Sequence, residues 1–159
     1  MIEEGHIIPN TNLFREENGW SISFSSHEFF TGKKVLVFAL PGAFTKICSE
    51  VHLPGYISNA DKFISKGVDI IVCLATNDAL VMKAWGDHYL ASNIINMVSD
   101  GNGEFTRLMG LQLDETQYGM GIRSQRYAML VEDKLIKNLA IEEPGQLSVS
   151  TADKMLVLI

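Results

Sequence analysis

The run Pro41-Gly42-Ala43-Phe44-Thr45-Lys46-Ile47-Cys48-Ser49 places one cysteine where an apolar, strand-like segment gives way to a segment that reads as a helix. A strand, a Pro-Gly turn and a helix aim the first free N–H groups of the helix at whatever sits at its N-terminus, and anions are favoured there. A thiolate at Cys48 is thereby stabilised over its thiol. Its pKa is expected below the roughly 8.5 of a free cysteine, which makes the sulfur nucleophilic at neutral pH. A free cysteine is more commonly a small buried hydrophobe. Thr45, Ser49 and His52 give Cys48 a polar neighbourhood that favours the reactive alternative, whereas Cys73, in the nearly continuous apolar run from Val68 to Ala75, is expected only to pack.

The elements around the cysteine read as follows. Lys34 to Leu40 is apolar without alternation, as in a strand covered on both faces. Pro54 suits a first helical turn, Tyr56, Ile57, Ala60, Phe63 and Ile64 form a helical stripe, and Lys66-Gly67 is a plausible stop. A second buried strand spans Val68 to Ala75. Asn77 or Asp78 can cap a helix with Val81, Trp85 and Tyr89 on one face. Ile94 to Val98 is a third strand, Ser99 to Gly103 a turn-rich loop, and Glu104 to Met109 a short helix. Arg126 to Val131 and Leu135 to Ile141 are β-prone and separated by only Glu132-Asp133-Lys134, which requires an antiparallel hairpin. A helix over Thr151 to Ile159, capped by Ser150 or Thr151, closes the order.

A βαβα half followed by a ββα end predicts an α/β, thioredoxin-like fold, with a mixed central sheet and helices on both faces. In open α/β sheets the chemistry gathers beyond the C-terminal ends of the parallel strands, where the turn from Leu40 to Cys48 falls. The whole chain, 1–159, is expected to form one domain, since 159 residues with 47% hydrophobic composition can bury a sizeable core. A formal charge of −6 and the lack of a Lys/Arg cluster argue against nucleic acid or an anionic membrane surface as partner. No apolar stretch approaches the roughly 20 residues of a membrane span, and the first residues lack the basic and apolar regions of a signal peptide. Two cysteines are too few for a disulfide framework, so a reducing, cytoplasmic location is expected, an organelle remaining open if a transit peptide was removed.

Pro41-Gly42-Ala43-Phe44-Thr45-x-x-Cys48-Ser49, followed by His52-Leu53-Pro54-Gly55-Tyr56, resembles the active-site signature of the peroxiredoxin-5 branch of the peroxiredoxins. The similarity extends over nearly the whole chain, through Ala75-Thr76-Asn77-Asp78, Met82-Lys83-Ala84-Trp85, Val98-Ser99-Asp100 and Ser124-Gln125-Arg126-Tyr127-Ala128. The resemblance implies a thiol peroxidase acting on hydrogen peroxide and organic hydroperoxides. Cys48 matches the family's peroxidatic nucleophile, Thr45 the peroxide-binding threonine and Arg126 the arginine that completes the site, with Pro41 and Gly42 in the turn that shields it. It also implies a homodimer, for which Phe44, Tyr56 and Trp85 are candidate contacts.

These roles suit the chemistry. A thiolate attacks one oxygen of the O–O bond in line and charge builds on the departing oxygen, so preorganised donors lower the barrier. Helix-start N–H groups, the Thr45 hydroxyl and the five-donor Arg126 guanidinium can supply them. Thr45 could equally cap the helix, Arg126 could be a solvated charge, Arg123 is a rival arginine, and His52 reads as a hydrogen-bonded structural residue outside the catalytic set.

Two departures from the family pattern matter. Lys46 stands where proline is usual: its charge could favour the thiolate, or the loosened turn could expose Cys48 and slow peroxide reduction. The stretch Gln146-Leu147-Ser148-Val149-Ser150, where some members carry a resolving cysteine, holds only serines. A one-cysteine cycle with an external reductant, glutathione with glutaredoxin or thioredoxin, is therefore expected. A peroxide-sensing thiol protein without efficient turnover is the alternative. A cysteine phosphatase would need an arginine at position 54, which is Pro54, and the scattered histidines give zinc little support. No organic cofactor is implied.

Overall fold

The structure, a computed structural model, describes residues 1–159. Its centre is β3 (Lys34–Ala39), flanked in parallel by β4 (Ile70–Ala75), which pairs in turn with parallel β5 (Asn96–Ser99). On the other side β3 pairs antiparallel with β8 (Tyr127–Glu132), which forms a hairpin with β9 (Leu135–Ile141). A second hairpin, β1 (Asn12–Glu17) and β2 (Trp20–Ser25), adds to β5 and extends the sheet to seven strands in the order β2-β1-β5-β4-β3-β8-β9. This is the expected thioredoxin-like α/β arrangement with a mixed sheet.

The unalternating apolar character of β3 has the expected cause. Leu36, Phe38 and Leu40 enter one hydrophobic cluster and Val35, Val37 and Ala39 the other, all at 0–1% exposure. The first cluster is covered by α2 (Leu53–Ser65), α3 (Ala79–His88) and α5 (Ala152–Leu158), which supply Tyr56, Phe63, Met82, Trp85 and Met155. Phe30 of α1 (Ser26–Phe30) and Phe105 and Met109 of α4 (Glu104–Met109) join the second. Of the proposed caps, Asp78 accepts from Val81 N–H and Thr151 from Lys154 N–H, so Asn77 and Ser150 are free for other work.

The β1–β2 hairpin and the short pair β6 (Gln112–Asp114) and β7 (Ile122–Ser124) have no counterpart in the sequence expectations. The first turns on Asn18-Gly19, both with positive φ, the two-residue turn whose twist suits a hairpin. The helix expected from about Pro54 begins earlier: Cys48–His52 forms a π-helical turn, with Leu53 N–H donating to Cys48 C=O, and runs directly into α2. Pro54 has no N–H to donate, which interrupts the regular ladder at this point and lets the turn widen.

Candidate active site

At the C-terminal end of β3, the chain turns through Pro41 to Thr45 and enters the helical run carrying Cys48. Ala43 N–H donates to Asn77 Oδ1 at 2.8 Å, tying the turn to the end of β4, and Ser99 Oγ donates to Asn77 C=O. Arg123 Nη1 donates to Pro41 C=O at 3.3 Å, and a Cβ on Gly42 would meet that nitrogen at 3.1 Å. Gly42 thus provides the close approach that the brace needs. Phe44 takes a left-handed backbone (φ 63), a strained conformation for a bulky residue, and is 55% exposed.

Cys48 is 1% exposed, and Arg126 Nη2 donates to its Sγ at 3.1 Å. Arg126 reaches the cysteine because it sits directly before β8, beside β3, with its carbonyl held by Glu142 N–H. The sequence left Arg123 as a rival; the structure assigns it to the Pro41 turn. The Lys46, Ile47 and Cys48 N–H groups have no backbone acceptor, as the helix-start expectation requires. Thr45 Oγ1 donates to Gly42 C=O at 2.7 Å, so its hydrogen is spent on the turn and its oxygen is left to accept. This corrects the expectation of Thr45 as a donor and also its alternative as a side-chain cap.

Pro41, Thr45 and Arg126 line a cavity of about 480 Å³ with Ile47, Leu113 and Met120. Cys48 is not among the lining residues and meets the cavity through Arg126, and Gly42 is buried in the turn. Lys46 stands at the edge, 83% exposed at its side chain, with Nζ 3.5 Å from Glu50. With Cys48 at 1% exposure, the turn has not opened around the sulfur in spite of the missing proline.

His52, which the sequence placed outside the site, bonds directly to it. Arg126 Nη1 lies 2.9 Å from His52 Nδ1, and His52 Nε2 lies 3.0 Å from Ser150 C=O. Burial first, and Arg126 second, push the His52 pKa down to about 3, so the ring is neutral. Ser150 is held by Glu142, whose carboxylate accepts from the N–H groups of Ser148, Val149 and Ser150 and from both serine hydroxyls. Burial alone would raise the Glu142 pKa, but these hydrogen bonds outweigh it and hold it below the usual carboxylate range. Sequence could not have joined His52 to residues 74 and 98 positions away.

Two of the three candidate dimer contacts are withdrawn. Tyr56 and Trp85 are 0% exposed: Tyr56 stacks on Phe38 at 4.0 Å, and Trp85 donates its indole N–H to Ser49 Oγ at 3.0 Å. Phe44 alone reaches the surface. Cys73 is 0% exposed in the core, where burial, with the nearby Cys48 second, pushes its thiol well up.

A thioredoxin-like sheet presenting one hydrogen-bonded thiol at the end of its central strand defines a thiol-dependent oxidoreductase. Residues 3–156 match the Redoxin family. Peroxiredoxin-2B from Arabidopsis thaliana is 43% identical over 156 residues, which cover 98% of this chain and 96% of the relative. Among solved structures, reduced Prx3 from Vibrio vulnificus in complex with H2O2 superposes with a TM-score of 0.95 at 44% identity over 99% of each chain. Peroxiredoxin 5 from Alvinella pompejana gives 0.87 at 36% identity, covering 99% of this chain and 97% of that one. The chain belongs to the peroxiredoxins, in their type II or peroxiredoxin-5 branch, and is a thiol peroxidase.

Proposed function

We propose that the chain reduces hydrogen peroxide and organic hydroperoxides at Cys48. The thiolate sulfur attacks one oxygen, the O–O bond breaks, and the departing alkoxide or hydroxide takes a proton, leaving an alcohol or water and a Cys48 sulfenic acid. The observation that carries this reading is the Arg126 Nη2 donor 3.1 Å from Sγ, in a cavity that Thr45 also lines. Arg126 faces the charge that builds on the peroxide, while Thr45 accepts the hydroperoxide O–H. Pro41 and Gly42 hold the turn that walls the substrate. The apolar Ile47, Leu113 and Met120 in a cavity much larger than hydrogen peroxide support organic hydroperoxides as co-substrates. The solved Vibrio vulnificus relative, described with bound H2O2, supports the smaller one.

An external thiol, glutathione with glutaredoxin or thioredoxin, returns the sulfenic acid to the thiol with release of water. Two features support a one-cysteine cycle: the family's resolving position holds serines clamped on Glu142, and Cys73 is sealed in hydrocarbon. The working unit proposed is a cytoplasmic homodimer, with exposed Phe44 at the contact. Peroxide consumption with each reductant tests the cycle: wild type turns over and Cys48→Ser loses on the order of 1,000-fold or more. Turnover retained in Cys48→Ser, or a Cys48–Cys73 disulfide found by mass spectrometry after one equivalent of peroxide, defeats the proposal. Consumption of a single equivalent with every reductant marks a sensor instead.

A further inference from the structure

Arginine presents only donors and a backbone carbonyl only accepts, so the contacts of His52 determine its tautomer. Nδ1 faces Arg126 Nη1 and must be the bare acceptor; Nε2 faces Ser150 C=O and must carry the hydrogen. The ring is 1% exposed and lies edge-on against the stacked pair Phe38 and Tyr56, at centroid distances of 5.3 and 5.5 Å. The same Ser150 carbonyl takes the Tyr56 hydroxyl at 2.6 Å, and Ser150 itself is fastened to Glu142 by both its N–H and its hydroxyl. Each link is a buried or partly buried hydrogen bond. The other end of the chain is the guanidinium nitrogen on Cys48 Sγ.

We propose that His52 is a positioning residue of the peroxidase reaction: its bare Nδ1 holds one arm of the Arg126 fork so that the other faces the reacting sulfur, and Glu142 anchors the ring through Ser150. A guanidinium rotates freely on a long stem, and displacement of a donor by about 1 Å from the developing charge costs on the order of 100-fold in rate. His52 removes that freedom without touching sulfur or substrate. The Gln146–Ser150 stretch thereby gains a use as the outer support of the arginine.

This inference rests on Cys48 as the nucleophile, and the experiment separates the two. The rate of oxidation by hydrogen peroxide is measured by stopped-flow fluorescence in a single turnover, which needs no reductant. Loss of the signal in Cys48→Ser is the control for the nucleophile; its persistence sinks the Cys48 assignment. His52→Leu is expected to slow oxidation by roughly 100-fold. His52→Asn, whose Oδ1 can accept from Arg126, is expected to recover about 10-fold of that. In an Arg126→Lys background the fork is gone, and His52→Leu should cost only about threefold more. If His52→Leu does not fold, His52→Phe, which also lacks an acceptor, takes its place in the same cycle. Equal losses in the two backgrounds, or an Asn variant no faster than the Leu or Phe variant, reduce His52 to a packing residue and overturn the proposal.

Discussion

Cys48 and Cys73 share one hydrophobic cluster and are almost equally hidden, at 1% and 0% exposure. The sequence separated them by the polarity of their neighbours, which suggests a reactive thiol and a packing thiol. The structure separates them by partners instead. Cys48 receives a guanidinium N–H and sits among helix-start amides that have no backbone acceptor. Cys73 lies mid-strand on β4, paired in register with Phe38, and burial disfavours its charged form. Shielding from water strengthens the electrostatic contacts of the first thiol and leaves the second with nothing to contact.

Acid should strike the Cys48 side of this contrast hardest. His52 has a folded pKa of about 3 against 6.5 in the unfolded chain, so between those values the unfolded chain binds the extra proton. Stability is complete above pH 6.5 and falls as the pH drops toward 3, by as much as about 5 kcal/mol over the whole interval. Glu142 adds to the same trend, since its lowered pKa gives stability that is lost as the pH falls through its folded value. Thermal melting between pH 7.5 and 4 reads the slope, and His52→Gln should flatten it. An unchanged slope in that variant places the acid sensitivity elsewhere.

Next in size, Arg126→Gln should lower the peroxide rate on the order of 100-fold to 1,000-fold, while the fold is retained by circular dichroism. A rate within threefold of wild type would make the guanidinium a bystander and erase the distinction between the thiols. Cys73→Ser buries a hydroxyl among hydrocarbon and is expected to cost roughly 1–3 kcal/mol by denaturant melting, with the peroxide rate unchanged. A large rate loss there would give Cys73 a part in the cycle. The smallest effect belongs to Lys46→Pro: with Nζ directed to Glu50 and Cys48 already covered, stopped-flow rates should move by only a few-fold. A faster variant rejects the idea that the Lys46 charge assists the sulfur.

The legible parts of the fold were those with a strong one-dimensional signal. β3 and β4 are apolar on both faces, α2 carries a stripe and a glycine stop, and β8 and β9 are too close for a crossover. The β1–β2 hairpin went unread although Asn18-Gly19 marks its turn. β2 lies at the edge of the sheet, with Trp20 74% and Ile22 39% exposed, so it shows no clean inside face. The π-helical turn leaves no periodicity over its five residues. Within the site, Cys48 was readable from its place after a strand. Choosing Arg126 over Arg123 required β8 to be laid beside β3, and the roles of His52 and Glu142 required both the chain's C-terminal loop and the sheet.

Phe44 carries a consequence for how this surface is shaped. A phenylalanine forced into left-handed backbone costs about 1 kcal/mol that glycine would not, and the aromatic ring paired with it is that of His88, at 6.0 Å. Phe44→Gly, then, should be neutral or slightly stabilising at the rim of the protein's most reactive loop, because the substitution relieves a backbone conformation that phenylalanine rarely adopts.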